Sequence, residues 1–148
     1  MPTEHCRECD EDHPCGKSHV YVIEFHPDVE KEFAIHSEKG YLYVGSTGKG
    51  VMQRFVDNFT RKDGSVATRE YAKQNSDSGE WKYNSSNAKR IRRHYLHHRP
   101  DLFYAKINPI SWRKGDSGAP ERRERKLADK LRNRGWRVEG PTNKEGDS

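Results

Sequence analysis

With 148 residues, of which 30% are hydrophobic and 34% charged, and a mean hydropathy of -1.24, the chain reads as one domain with a small core. No apolar run approaches the length of a membrane span, and the N-terminal residues lack a signal-type hydrophobic region, so the cytoplasm is the expected location. A net charge of +5 and a pI near 9.1 favour a polyanionic partner.

All the cysteines fall early, in His5-Cys6-Arg7-Glu8-Cys9 and His13-Pro14-Cys15. Three thiols cannot pair fully, and a cytoplasmic setting disfavours disulfides. Cys6 and Cys9, then Cys15, with His13, His5 or His19 as fourth ligand, suit a tetrahedral Zn²⁺ site. The competing reading is a solvent-exposed Cys/His tail. Residues 1–18 form this segment, 19–140 the expected domain and 141–148 a polar tail.

Val20 to Phe25 is rich in β-branched and aromatic residues and predicts a strand, broken by Pro27-Asp28. Residues 26–40 make a long connection to a second strand at Tyr41 to Val44. Gly45, Gly48 and Gly50 then turn the chain into a helix whose apolar positions are 51, 52, 55, 56 and 59, with Arg54 nearly opposite. A phosphate loop is excluded there. Gly48-Lys49 has Tyr43 where the earlier glycine would stand and Gly50 where Ser or Thr is needed.

Residues 60–86 read as a polar insertion, partly mobile without DNA, in which Arg69 to Gln74 adds a helical turn. Ser85-Ser86 caps a helix running to about His98, with Ala88, Ile91 and Tyr95 facing inward. Lys89, Arg90, Arg92, Arg93, His97 and His98 form its outer face, either a solvated surface or a phosphate contact. Pro100 ends that helix, and Leu102 to Ile107 predicts a third strand. Trp112 to Gly118 reads as a basic loop, and Pro120 opens a helix over Glu121 to Arg134 that Gly135 stops. On that helix Glu124 falls within about 15° of the mean direction of Leu127, Ala128 and Leu131, whereas Glu121 lies about 70° away. A carboxylate on an apolar face needs a paired cation or a metal.

These elements together resemble the GIY-YIG endonuclease family. His19-Val20-Tyr21 stands at the first triplet, with only its tyrosine kept, and Tyr43-Val44-Gly45 matches the second. Arg54 matches the family's arginine, and Glu124, followed by Leu127-Ala128, its glutamate. The resemblance covers roughly residues 19–60 and 100–140 and implies a small α+β domain, its central three-stranded, mainly antiparallel sheet flanked by helices. It further implies a DNA endonuclease that hydrolyses phosphodiester bonds with Mg²⁺ (or Mn²⁺). Tyr21, Tyr43 and Arg54 would line the site, and Glu124 would hold the metal. Gly45, Lys49, Asn58, Arg92 and Arg93 are the expected DNA contacts. Asn58 stands where many members have histidine and cannot accept a proton, leaving His94, His97 or His98 as substitute bases. Two other classes stay open: a non-catalytic DNA- or RNA-binding module of this fold, and a structural zinc protein whose tyrosines are core.

Overall fold

Two apolar runs pair as antiparallel strands β1 (His19–Phe25) and β2 (Tyr41–Thr47) and form the centre of a mixed α/β fold. The computed structural model describes residues 6, 8, 15, 17–33, 36–48, 50–102, 108, 110 and 118–139. Among the described residues the sheet has four strands in the order β3-β1-β2-β4, with β3 at Tyr95–His98 and β4 at Arg137–Glu139. β3 pairs antiparallel with β1, and β4 runs parallel to β2.

Period-2 alternation splits the two central strands between two cores. Val20, Val22, Leu42 and Val44 pack on one face with Leu127, Ala128 and Leu131 of the longest helix, α5 (Ala119–Asn133). Tyr21, Ile23, Phe25 and Tyr41 pack on the other, with Val29, Val51, Phe59, Ala72, Trp81 and Ile91. A one-residue slip would exchange the two sets, so burial on both faces holds the register. Pro120 lies in the first turn of α5, where a missing N–H is tolerated. Gly135 at φ 101° stops that helix and turns the chain into β4.

Several expectations change. The helix expected to reach His98 is α4 (Ser86–His94), capped by the Ser85 side chain on the Ala88 amide. At Tyr95 the backbone extends instead, because the open edge of β1 takes Tyr95 to His98 as a strand. Tyr95 still faces inward, packed on Phe55. A strand over Leu102 to Ile107 falls mostly on residues 103–107, outside the described residues, while Leu102 closes a 3₁₀ turn (Pro100–Leu102). Gly118 alone of the basic loop is described. Two of the four strands among the described residues were not expected: β3 takes the edge of β1, and Val138 is paired beside Leu42, not merely packed back on the core.

The polar insertion over 60–86 is a packed unit. It contains α3 (Arg69–Gln74), capped by Thr68, and bridges Thr60 to Val66 and Arg61 to Trp81. Trp81 is fully buried and donates its indole N–H to the Asn75 carbonyl at 2.8 Å. Over its ring, at 4.8 Å, lies the guanidinium of Arg92.

Arg92 was expected on the outer face of its helix, as a phosphate contact. It is 2% exposed and points the other way. Its guanidinium donates to the carbonyls of Ser76 (3.0 Å), Asn58 (2.9 Å) and Tyr83 (2.9 Å), joining α4 to the 60–86 unit. Burial lowers its pKa, opposed by the nearby charge of Asp77. Arginine suits the place because it presents several donors in a fixed fork, enough for three carbonyls of this turn-rich segment. Arg93 is half-buried beside Glu32, at 3.6 Å, so the outer face of α4 is partly neutralised within the chain.

α2 (Val51–Asp57) is rotated from its expected face. Val51 and Phe59 are buried, but Met52 and Val56 are 47% and 38% exposed, and Asn58 is buried in their place. Arg54 thus lies about a quarter-turn from the buried stripe, not opposite it. No helix of the described residues is long and apolar enough to cross a membrane.

Arg92→Ala should lower the urea-unfolding stability by about 3 to 5 kcal/mol, since it strands buried carbonyls and opens space beside Trp81. Arg93→Ala should change it by less than ~1 kcal/mol. Equal, small effects from the two would show that the Arg92 contacts hold nothing together.

Candidate active site

The site begins with a register. Tyr21 lies opposite Gly45 across the central strand pair, and Tyr43, two residues earlier on β2, shares its face. A Cβ at position 45 would lie 2.6 Å from Tyr21 Oη and 2.9 Å from Tyr43 Cε2. Glycine is therefore needed beneath the two rings, whose centroids are 6.1 Å apart. Gly45 serves tyrosine packing, where close approach to a phosphate was expected.

The two tyrosine hydroxyls act on one another, and Asn87 on α4 also acts on Tyr43. Burial pushes the Tyr21 hydroxyl far above its ordinary pKa, helped by Tyr43 and Glu124 and opposed by Arg54. Tyr43 is raised too, by burial and then Glu124, but Tyr21, Arg54 and Asn87 all act to lower it.

Arg54 reaches the pair from α2. Its guanidinium stacks on the Tyr83 ring at 4.4 Å, and Nη1 donates to Asn58 Oδ1 at 3.3 Å. Asn58 is 1% exposed, its amide donating to the Arg54 and Phe55 carbonyls and its own carbonyl accepting from Arg92. It was expected to touch DNA; it is a buried brace for Arg54 instead.

Glu124 comes from the other side of the sheet, half-buried, and accepts a 2.9 Å hydrogen bond from Ser46 Oγ. Glu121 is exposed, as the helical wheel predicts. Burial raises the Glu124 pKa; Ser46 lowers it, Glu121 raises it and Arg125 lowers it. Neighbouring residues on β2 thus serve opposite faces, Gly45 under the tyrosines and Ser46 on the glutamate. The charge of Glu124 still acts on both tyrosines.

Tyr21, Tyr43, Arg54 and Glu124 therefore come together electrostatically, with Ser46, Tyr83 and Asn87 added by the tertiary structure. Alternation along β2 could have assigned Ser46 to the face of α5; Tyr83 and Asn87 carry no signal beyond their side-chain type. The substitute bases stand elsewhere. His94 contacts Asp28 at 2.9 Å and also Glu32, His97 contacts Glu24 at 3.0 Å, and His98 packs on the rings of Phe55 and Tyr95. Lys49, His5, Cys9 and His13 lie outside the described residues, whereas Cys6, Cys15 and His19 form a cluster of their own. Comparison of the chain with protein-family models, with curated proteins and with solved structures finds no match.

The raised pKa of Glu124 carries a sign. Its folded-state value lies above the unfolded 4.5, so its charge opposes folding at neutral pH, and that cost disappears as pH falls below 4.5. Glu124→Gln, which keeps an acceptor for Ser46, should unfold at a higher urea midpoint than wild type at pH 7. The difference should vanish near pH 4. A less stable variant at pH 7 would identify Glu124 as a structural ion-pair partner.

Proposed function

We propose that this chain is a metal-dependent DNA endonuclease of the GIY-YIG type, hydrolysing phosphodiester bonds through Tyr21, Tyr43, Arg54 and Glu124. One observation carries the reading: four chemically suited side chains from β1, β2, α2 and α5 share one electrostatic environment around Gly45 and Ser46. A half-buried carboxylate that accepts from a serine hydroxyl, and whose pKa burial raises against the opposing charge of Arg125, is an arrangement that costs stability. Such costs cluster at functional sites.

The donors fit Mg²⁺ or Mn²⁺. They are hard oxygens, and a half-open position leaves room for water and phosphate oxygens. A divalent cation held by Glu124 would supply positive charge to the pentavalent phosphorus and the leaving oxyanion. Arg54, fixed by the Tyr83 ring and Asn58, presents a second cation to the scissile phosphate at little ordering cost. Tyr21 stays protonated at neutral pH, its hydroxyl directed at Tyr43, and lines the site beside it. Tyr43, also raised by burial, is protonated at neutral pH as well. It can orient the attacking water, and it would take the water's proton only with a metal or Arg54 stabilising its anion. DNA is the partner this chemistry requires, and the basic balance of the chain agrees.

Burial of Tyr21 to 4% exposure favours a second reading, a non-catalytic nucleic-acid-binding module of the same fold whose tyrosine pair is core. Incubation with supercoiled plasmid separates the two. Nicking should require Mg²⁺ or Mn²⁺ and should drop by about 10² to 10³ in Glu124→Gln, with DNA affinity nearly unchanged. Tight binding with no cleavage in either metal would support the module and end the nuclease proposal.

A further inference from the structure

A cluster that the nuclease chemistry leaves unused stands at the start of β1. Cys6 is 1% exposed and His19, the first residue of the strand, is fully buried. Cys15 is partly buried between them: Cys6 Sγ lies 3.9 Å from Cys15 Sγ, and Cys15 Sγ lies 3.3 Å from His19 Nε2. All three donor atoms fall within 4.8 Å of one another.

We infer that Cys6, Cys15 and His19 bind a structural Zn²⁺ that fastens the N-terminal segment to the strand carrying Tyr21. Two of the three distances suit a tetrahedron, and the third pair, Cys6 and His19, lies within 4.8 Å. Zn–S bonds of about 2.3 Å and Zn–N bonds of about 2.0 Å place ligand atoms about 3.8 Å apart for two sulfurs and about 3.5 Å apart for sulfur and nitrogen. A disulfide needs about 2.05 Å between its sulfurs, so these two are held at the edge of a coordination shell and not at bonding distance.

Charge gives the second reason. Two thiolates and a neutral imidazole around Zn²⁺ sum to zero, which removes the cost of burying an unpaired thiolate. The third is the backbone. The amide of Glu8 donates to Cys6 Sγ at 3.3 Å, which fixes that sulfur's direction. An ion pair between Lys17 and Glu8, at 2.9 Å, closes the same loop from outside. The bland alternative is a pair of inert buried thiols beside a core histidine. It leaves unexplained why a short polar segment brings soft donors together from sequence separations of nine and four residues.

His19 also fixes what the metal would do. It pairs with Thr47 in the β1–β2 ladder and precedes Tyr21 by two residues on the same face. The ion would tie down the end of β1 beside the tyrosine pair, acting on folding and not on bond cleavage. The soft donor set is distinct from the oxygen donors at Glu124, so the two metals separate by chemistry.

The test uses the full chain purified under reducing conditions without chelator. Elemental analysis should find about one zinc per chain, falling below about one-tenth in Cys6→Ser, Cys15→Ser and His19→Ala. Since His19→Ala could fail by unfolding, a second measurement uses wild type alone. Stripped, reduced protein loaded with Co²⁺ should show thiolate-to-metal charge transfer and tetrahedral d–d bands, and Zn²⁺ should displace them and raise the melting temperature. Wild type that carries no zinc as purified and binds neither added Zn²⁺ nor Co²⁺ through sulfur would overturn the inference. Plasmid nicking is read separately, so either proposal can fail without the other.

Discussion

The register that sets Tyr21 opposite Gly45 is the constraint on which the structure depends. Both faces of β1 and β2 are buried, so the alternation of their side chains must satisfy two cores at once. Only a residue without Cβ fits beneath the two rings. Once that pairing is set, Ser46 necessarily faces α5, and Glu124 has a partner. A slip of one residue would bury Ser46 under the tyrosines and separate the site.

Charge in this protein is largely spent internally. Arg92 holds the 60–86 unit against α4 through carbonyls, Arg90 and Arg93 approach Glu32, and Arg61 binds Glu80 at 2.8 Å. Exposed pairs of this kind each contribute little, whereas Arg92 is buried and bonded through its fork. A count of lysines and arginines therefore overstates the positive surface available to a polyanion. The cations that matter are those held in place, and Arg54 is held by an aromatic ring and a buried amide.

The site runs against stability. Glu124, Tyr21 and Tyr43 are all shifted upward chiefly by burial, so none is held in its charged form by a strong local partner. A carboxylate kept for packing alone would be replaced by a neutral side chain at a gain. Positions of this kind are where local rules are broken for the sake of chemistry.

The sequence by itself determined the strands around Tyr21 and Tyr43, the Ser85 cap and the inward facing of Glu124, because each rests on a local period or a single hydrogen bond. It marked Tyr21, Tyr43, Arg54 and Glu124 through their resemblance to a motif, with no view of what surrounds them. Tertiary structure decided the rest. Arg92 reads as surface on a helical wheel, yet three distant carbonyls needed its donors. Tyr95 to His98 continues a helical pattern, yet the bare edge of β1 offered hydrogen bonds that one more helical turn could not replace. Residues 60–86 look too polar to pack, yet the fully buried Trp81 and Ala72 and the fork of Arg92 anchor them. Periodicity records which way a residue points within its own element; only the assembled chain supplies the groups that must be satisfied there.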